Sequence, residues 1–92
     1  MEKLKNSVFE NIKKINQIGQ EYWFARDLFK AIEYKKWDKF LNVIDKAKEA
    51  CENSGQEIET HFPQVVKMVK IGSSAVRDIG DLNLSRYACY TI

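Results

Sequence analysis

The apolar positions of this chain change period repeatedly. Leu4, Val8, Phe9 and Ile12 recur at helical spacing, which predicts a short helix over about residues 3–11. Lys13-Lys14-Ile15-Asn16 and Glu21-Tyr22-Trp23-Phe24 then flank a turn in which Gly19 supplies positive φ, the pattern of a β-hairpin. Ala25, Leu28, Phe29 and Ile32 return to one helix face, with Asp27 in the first turn where the helix dipole favours it. Tyr34-Lys35 interrupts that face. A longer helix follows, from about Lys36 to Asn53, whose stripe of Trp37, Phe40, Leu41, Ile44, Ala47 and Cys51 is expected to be buried. Gly55 is placed to end it as a left-handed residue beyond the helix.

The second half is less regular. Pro63 bars a smooth entry into a central strand. Val65, Val66, Met68, Val69 and Ile71 are β-rich without clean alternation, so a helix from Pro63 to Lys70 is also compatible. Gly72-Ser73-Ser74 reads as a turn, and Val76 to Leu84 as a returning strand with a bulge at Gly80-Asp81. Ser85 is a good N-cap, with Leu84 and Cys89 at staple positions. Only seven residues follow Ser85, so this last helix is expected to lack support, or to pack through Tyr87, Tyr90 and Ile92 in a dimer. Residues 1–92 thus read as one domain at the front of a longer protein. The fold class is α+β, with helices packed on a small antiparallel sheet made of hairpins.

Composition narrows the classes. The chain has 92 residues, 45% apolar and 30% charged, which excludes a disordered segment. No apolar run approaches the roughly 18 residues of a membrane span, and Met1-Glu2-Lys3-Leu4-Lys5 leads into no signal-peptide core. A cytoplasmic protein without a membrane partner is expected. Two cysteines and one histidine fall short of a four-ligand structural zinc site, and Cys51 and Cys89 read as buried thiols.

No catalytic constellation emerges. The four glycines are scattered, which leaves no phosphate-cradling loop. His61 with Ser73-Ser74 lacks a third group to orient the base. Glu57, Glu59 and His61 would share a face only if extended, and such a face is ordinarily solvated. The expectation is a non-enzyme with no cofactor and no metal.

Charge is more informative locally than globally. The net charge of +2 does not by itself mark a DNA-binding protein. Lys35, Lys36 and Lys39, however, crowd the start of the long helix, where its dipole disfavours cations. That arrangement suits an anionic partner such as a DNA phosphate. Lysines reaching into water are the bland explanation, and Asp38 offsets part of the charge. Lys13 and Lys14 beside the first hairpin, and Lys67, Lys70 and Arg77 beside the second, are secondary candidates, although edge-strand protection also uses lysines. Trp23 and Trp37 could stack on single-stranded DNA, but their positions favour the core.

Several words of the sequence resemble the N-terminal region of the bacterial DNA-damage-inducible protein D family. These are Glu21-Tyr22-Trp23-Phe24-Ala25-Arg26-Asp27-Leu28, Tyr34-Lys35-Lys36-Trp37, the run from Ala47 to Gly55, His61-Phe62, Lys67-Met68-Val69 and Leu84-Ser85-Arg86-Tyr87-Ala88-Cys89-Tyr90. The resemblance covers about residues 9–92. More distantly, the hairpin leading into Ala25-Arg26-Asp27-Leu28 is similar to the N-terminal domain of phage and baculovirus BRO proteins, a family associated with DNA binding. The resemblance implies a role in the SOS response to DNA damage, acting on DNA or on the RecA recombinase filament. It assigns no catalytic residue. The chain departs from the family at Gly72-Ser73-Ser74-Ala75-Val76-Arg77, where the family is more basic, so that Arg77 is the only cation of that turn. A DNA-binding module and a protein-interaction module docking on RecA or on further sequence are both consistent with these residues.

Overall fold

A computed structural model describes residues 6–92. Helix α1 (Asn6–Asn11) leads into a hairpin of β1 (Lys14–Ile15) and β2 (Glu21–Phe24). The expected beginning of α1 around residues 3–5 lies outside the described residues. At the hairpin turn Gly19 takes φ 84°, and the Asn16 side chain accepts from the N–H groups of Ile18 and Gln20 at 3.0 and 2.9 Å. An Asx-type turn is the physical reason that Asn and Gly stand there.

Helices α2 (Ala25–Ala31) and α3 (Trp37–Asn53) follow, then a single helical turn, α4 (Ile58–His61). Residues 58–61 are therefore helical, with Glu57 as their extended N-cap, and Glu57, Glu59 and His61 do not share the face that alternation would give them. The next segment adopts the β reading, not the helical one. Strands β3 (Gln64–Val65) and β4 (Met68–Lys70) run out, and β5 (Val76–Asp78) and β6 (Asp81–Leu84) return. Helix α5 (Arg86–Thr91) ends the order.

This is a single α+β domain. The main sheet has the order β1-β2-β6-β3, all antiparallel, and β4-β5 form a separate two-stranded ribbon. A bulge at Gly80-Asp81 was the expected repair of register, but the register needs no repair. Val65 faces Asp81 and Met68 faces Asp78, so two residues are skipped on each strand and the pairing resumes in step. One long hairpin is thus broken symmetrically at Val66-Lys67 and Ile79-Gly80.

The core lies between α3, α5 and the sheet. Trp23, Leu28, Phe40, Ile44, Cys51, Leu84 and Cys89 are fully buried. Along the α3 stripe Phe40, Ile44, Ala47 and Cys51 are buried as expected, while Trp37 and Leu41 are only half-buried. Trp23 stacks on Phe9 with ring centroids 4.3 Å apart, and its indole N–H donates to the Phe9 carbonyl at 2.8 Å. That bond satisfies the one polar atom of a buried indole.

The C-terminal helix corrects an expectation. Ser85 caps it, its Oγ accepting from the Ala88 N–H at 3.0 Å. The helix is well supported within one chain, not poorly packed. Ala88 and Cys89 are buried, Ile92 packs against the core, and the Tyr87 ring lies 4.6 Å from that of His61. Tyr90 alone of these apolar groups stays largely exposed, at 62%. Six residues suffice because the helix buries its short face against α3 and β2, so tertiary packing replaces length.

Candidate nucleic-acid interface

The first element of the candidate interface is the start of α3. Helix α2 is stopped by Glu33, which takes the left-handed region at φ 60°, and the Tyr34 N–H closes the end on the Phe29 carbonyl at 3.1 Å. Lys35 and Lys36 then carry the chain out into solvent, and Lys36 becomes the N-cap of α3 in extended conformation with no side-chain cap bond. A lysine has no acceptor atom and cannot cap. The first-turn N–H groups of α3 are left without a side-chain acceptor, beside three exposed lysines at 35, 36 and 39. Trp37, inside the first turn, packs edge-on against Phe29 at 5.4 Å and against Phe40 at 5.7 Å.

The second element is the β4-β5 ribbon, an arm that continues the β3-β6 pair beyond the main sheet. Its pairing puts Val66, Met68, Lys70, Val76 and Asp78 on one face and Lys67, Val69, Ile71, Ala75, Arg77 and Ile79 on the other. Every residue from Lys70 to Ile79 is exposed, including Ile71 at 61% and Val76 at 58%. The arm holds its own shape. Asp78 accepts from the backbone N–H groups of Lys67 and Gly80 at 3.0 and 2.9 Å. Those two bonds hold its carboxyl below the usual range, so it stays charged but engaged with backbone.

The two elements meet at Arg26. Its Nε donates to the Gly80 carbonyl at 2.8 Å and its Nη2 to the Ile79 carbonyl at 2.7 Å, while its guanidinium carbon lies 4.2 Å over the Trp37 ring. Its backbone N–H donates to the buried Asp81 carboxylate at 3.1 Å. A cleft of about 410 Å³ opens between the arm's base and α3, lined by Trp37, Leu41, Val66, Asp78, Ile79 and Asp81 among others. Lys36 and Arg77 are chain neighbours of its lining.

The residues singled out from sequence therefore fall into two groups. Lys35, Lys36 and Lys39 at the α3 start and Arg77 on the arm lie in elements that flank one cleft, and Lys67 and Lys70 join them on the arm. Lys13 and Lys14 lie elsewhere, at β1, the opposite edge of the main sheet. Lys13 is paired with Glu10 at 3.1 Å. Nearby, Arg86 takes Glu21 at 2.6 Å and Glu10 at 3.2 Å and lies over the Trp23 ring at 5.1 Å. The Arg86 bond holds the Glu21 carboxyl below its ordinary range, and Lys13 and then Arg86 do so for Glu10. That network ties α1, β2 and α5 together. Sequence reasoning missed Arg26, because its acceptors lie 53 and 54 residues away and are carbonyl oxygens, which leave no trace in side-chain pattern.

Other candidate chemistry is absorbed by structure. Trp23 is buried, and Trp37 is half-buried with Arg26 over one face of its ring. His61 Nδ1 and Ser85 Oγ are 2.6 Å apart, but that hydroxyl is already the cap of α5. Among the described residues no group of three His, Cys, Asp or Glu side chains is placed to hold a metal ion, and no helix is long and apolar enough to cross a membrane.

DNA damage-inducible protein D of Escherichia coli (strain K12) is 52% identical over 84 residues, covering 91% of this chain and 31% of that protein. The chain thus spans about a third of the length of that relative. No solved structure matches it. The sequence profile of the BRO family, N-terminal domain, matches residues 11–92, from the end of α1 through α5, and the chain belongs to that family.

Proposed function

We propose that this domain is a nucleic-acid-binding module that grips double-stranded DNA through the α3 start and the β4-β5 arm, in a bacterial response to DNA damage. The observation that carries the reading is the distribution of charge. Segments 35–39 and 64–80 hold six cations and two carboxylates, while all other residues hold nine cations and eleven carboxylates. The positive potential of the chain therefore belongs to the two elements beside the cleft, and the rest of the surface is slightly acidic. One of the two carboxylates, Asp78, is engaged by backbone N–H groups.

Duplex is favoured over single strand. Single-strand binders use aromatic platforms beside the cations; here Trp23 is buried, Trp37 is half-buried with one face under Arg26, and Tyr34 packs on Phe29 and Phe40. A two-stranded ribbon, by contrast, fits a major groove about 12 Å wide. The damage-response role rests on the name of the Escherichia coli relative. A second reading, docking on a protein such as the RecA recombinase filament, is favoured by the exposed apolar groups of the arm, Val66, Met68, Ile71 and Val76.

Titration of labelled duplex and single-stranded oligonucleotides at 50 and 200 mM salt tests the proposal. Tighter binding to duplex that weakens steeply with salt is expected. Binding that is absent at low salt, or indifferent to salt, would reject the DNA reading and favour the protein-docking one.

A further inference from the structure

We infer that Arg26 is a positioning residue of this interface: it ties the base of the β4-β5 arm to Trp37 at the start of α3 and so fixes the angle at which the two cationic elements are presented. The inference rests on the nucleic-acid reading and adds a residue that neither charge pattern nor resemblance singles out.

The arm needs such a brace. Both of its strands are interrupted at its base, at Val66-Lys67 and at Ile79-Gly80, and Gly80 there takes φ 69°. The bonds at this hinge, from the Lys67 and Gly80 N–H groups to Asp78 and from the Ile79 N–H to the Lys67 carbonyl, tie its two strands to each other and to the arm, not to α2 or α3. Beyond the hinge the arm is self-contained. The Ile79 N–H reaches the Lys67 carbonyl at 2.8 Å, and the Ile71 N–H closes the tip on the Ala75 carbonyl at 3.1 Å. What remains to be set is its direction.

Arg26 sets it from a fixed platform. Its Cα belongs to the first turn of α2, where neighbouring Ala25 and Leu28 are fully buried. Its guanidinium then spans from the Trp37 ring to two successive carbonyls of the hinge. The planar fork with several N–H groups in fixed directions makes this possible, and the same plane stacks on an indole. Among the described residues no carboxylate lies within 4 Å of it in an ion pair. The charge is therefore spent on backbone carbonyls and a ring, which is an architectural use and leaves phosphate contact to Lys35, Lys36, Lys39 and Arg77.

Loss of the brace should lower affinity without removing a phosphate contact. If the productive arm orientation falls to about a tenth of the ensemble, the apparent Kd rises about tenfold. Lysine should not rescue, since it has neither the fork nor the plane.

The experiment compares wild type with Arg26→Gln, Arg26→Lys and Arg77→Gln, titrating a 20-base-pair duplex across salt concentrations. Arg26→Gln and Arg26→Lys should each bind about tenfold more weakly with the salt slope of wild type, whereas Arg77→Gln should reduce the slope by roughly one. Trp37→Leu, which removes the ring and keeps Arg26, should act like Arg26→Gln and serves where that variant folds poorly. A second readout needs no DNA: spin labels at Ser73→Cys on the arm and Lys46→Cys on α3 should give a narrow distance distribution in wild type and a broad one in Arg26→Gln. A wild type that binds, with Arg26→Gln binding equally well or keeping the narrow distribution, overturns the inference alone. A lowered slope in Arg26→Gln makes Arg26 a phosphate contact and also overturns it. A wild type without salt-dependent binding overturns the nucleic-acid reading and the inference with it.

Discussion

Lys36→Ser separates stability from function at one position. Lys36 is the N-cap of the longest helix, in the extended conformation that an N-cap adopts, with φ −123° and ψ 120°. Its side chain caps nothing. A serine there is sterically undemanding, because Lys36 is exposed, and its hydroxyl can accept from an N–H of the first turn. The new cap bond is worth about 1 kcal/mol. Removing a cation from the positive end of the helix dipole adds a few tenths of a kcal/mol more. For a domain of this size, a gain of about 1 kcal/mol raises Tm by about 4–8 °C.

The same substitution should weaken binding to duplex DNA at low salt and lower the salt slope by roughly one, if Lys36 meets a phosphate. Thermal denaturation followed by circular dichroism and a two-salt titration measure the two effects on one sample. A lower Tm would refute the capping argument. A higher Tm with unchanged affinity and slope would refute the functional argument, and leave Lys36 as a lysine that reaches water. Lys35, Lys36 and Lys39 together give the stronger version. The triple alanine variant should keep its fold and lose most duplex affinity.

Three further outcomes follow from the core and the ion pairs. Phe40→Ala empties a fully buried site that touches Phe29, Tyr34 and Trp37, and should cost about 3–5 kcal/mol in urea denaturation; a loss below about 1 kcal/mol would contradict the packing. Glu21 is held below its ordinary pKa of 4.5 by Arg86, so its stabilising contribution is present above that pH and is lost as the pH falls through the lower folded value. Glu21→Gln should therefore lose less stability than wild type between about pH 5 and pH 3, and an equal loss would place the acid sensitivity elsewhere. Burial pushes the Cys89 thiol up to about 12, so Cys89 and the equally buried Cys51 should resist a thiol reagent at pH 8 in the native state and react on unfolding. Rapid native labelling would show that the α3–α5 contact opens.

Much of the fold was legible because it is local. The stripe from Phe40 to Cys51 marks α3 by its period, Gly19 marks the first turn, and Ser85 marks α5. The arm was harder to read. Val66, Met68, Ile71 and Val76 read as strand material in sequence, and their exposure was not legible there, because composition reports β propensity and says nothing of what lies across from a strand. The support of α5 was misread for the opposite reason. Its length counted against it, but its cover comes from α3 and β2, which only the tertiary structure supplies. At the candidate interface the lysines of the α3 start stood out by violating a local rule. Arg26 violates none, so its role depends wholly on contacts across 53 and 54 residues.

The far end of α3 sharpens the argument about its beginning. Its last turn carries no basic residue; Glu52 stands there instead, with Glu49 just before it and Glu57 and Glu59 just beyond the helix. Lys35, Lys36 and Lys39 outnumber Asp38 at the positive end, and Glu49 and Glu52 outnumber Lys48 near the negative one, so the net charge at each end opposes the dipole. A helix arranged for stability alone would carry the reverse. The reversed charges turn a helix of 17 residues, about 25 Å long, into a separator of potential across the domain. An approaching polyanion is drawn to the lysine end and turned away from the glutamate end, so it meets the molecule in one orientation. Exchanging Glu49 and Glu52 for lysine would test this without touching the cleft. The helix should gain a few tenths of a kcal/mol for each charge, while nonspecific duplex binding should tighten at low salt. The selectivity of Lys36 and Arg77 substitutions should then fall, because DNA would have a second place to land. If affinity and the effect of Lys36→Ser both stay unchanged in that background, orientation is set by the arm and not by the field of α3.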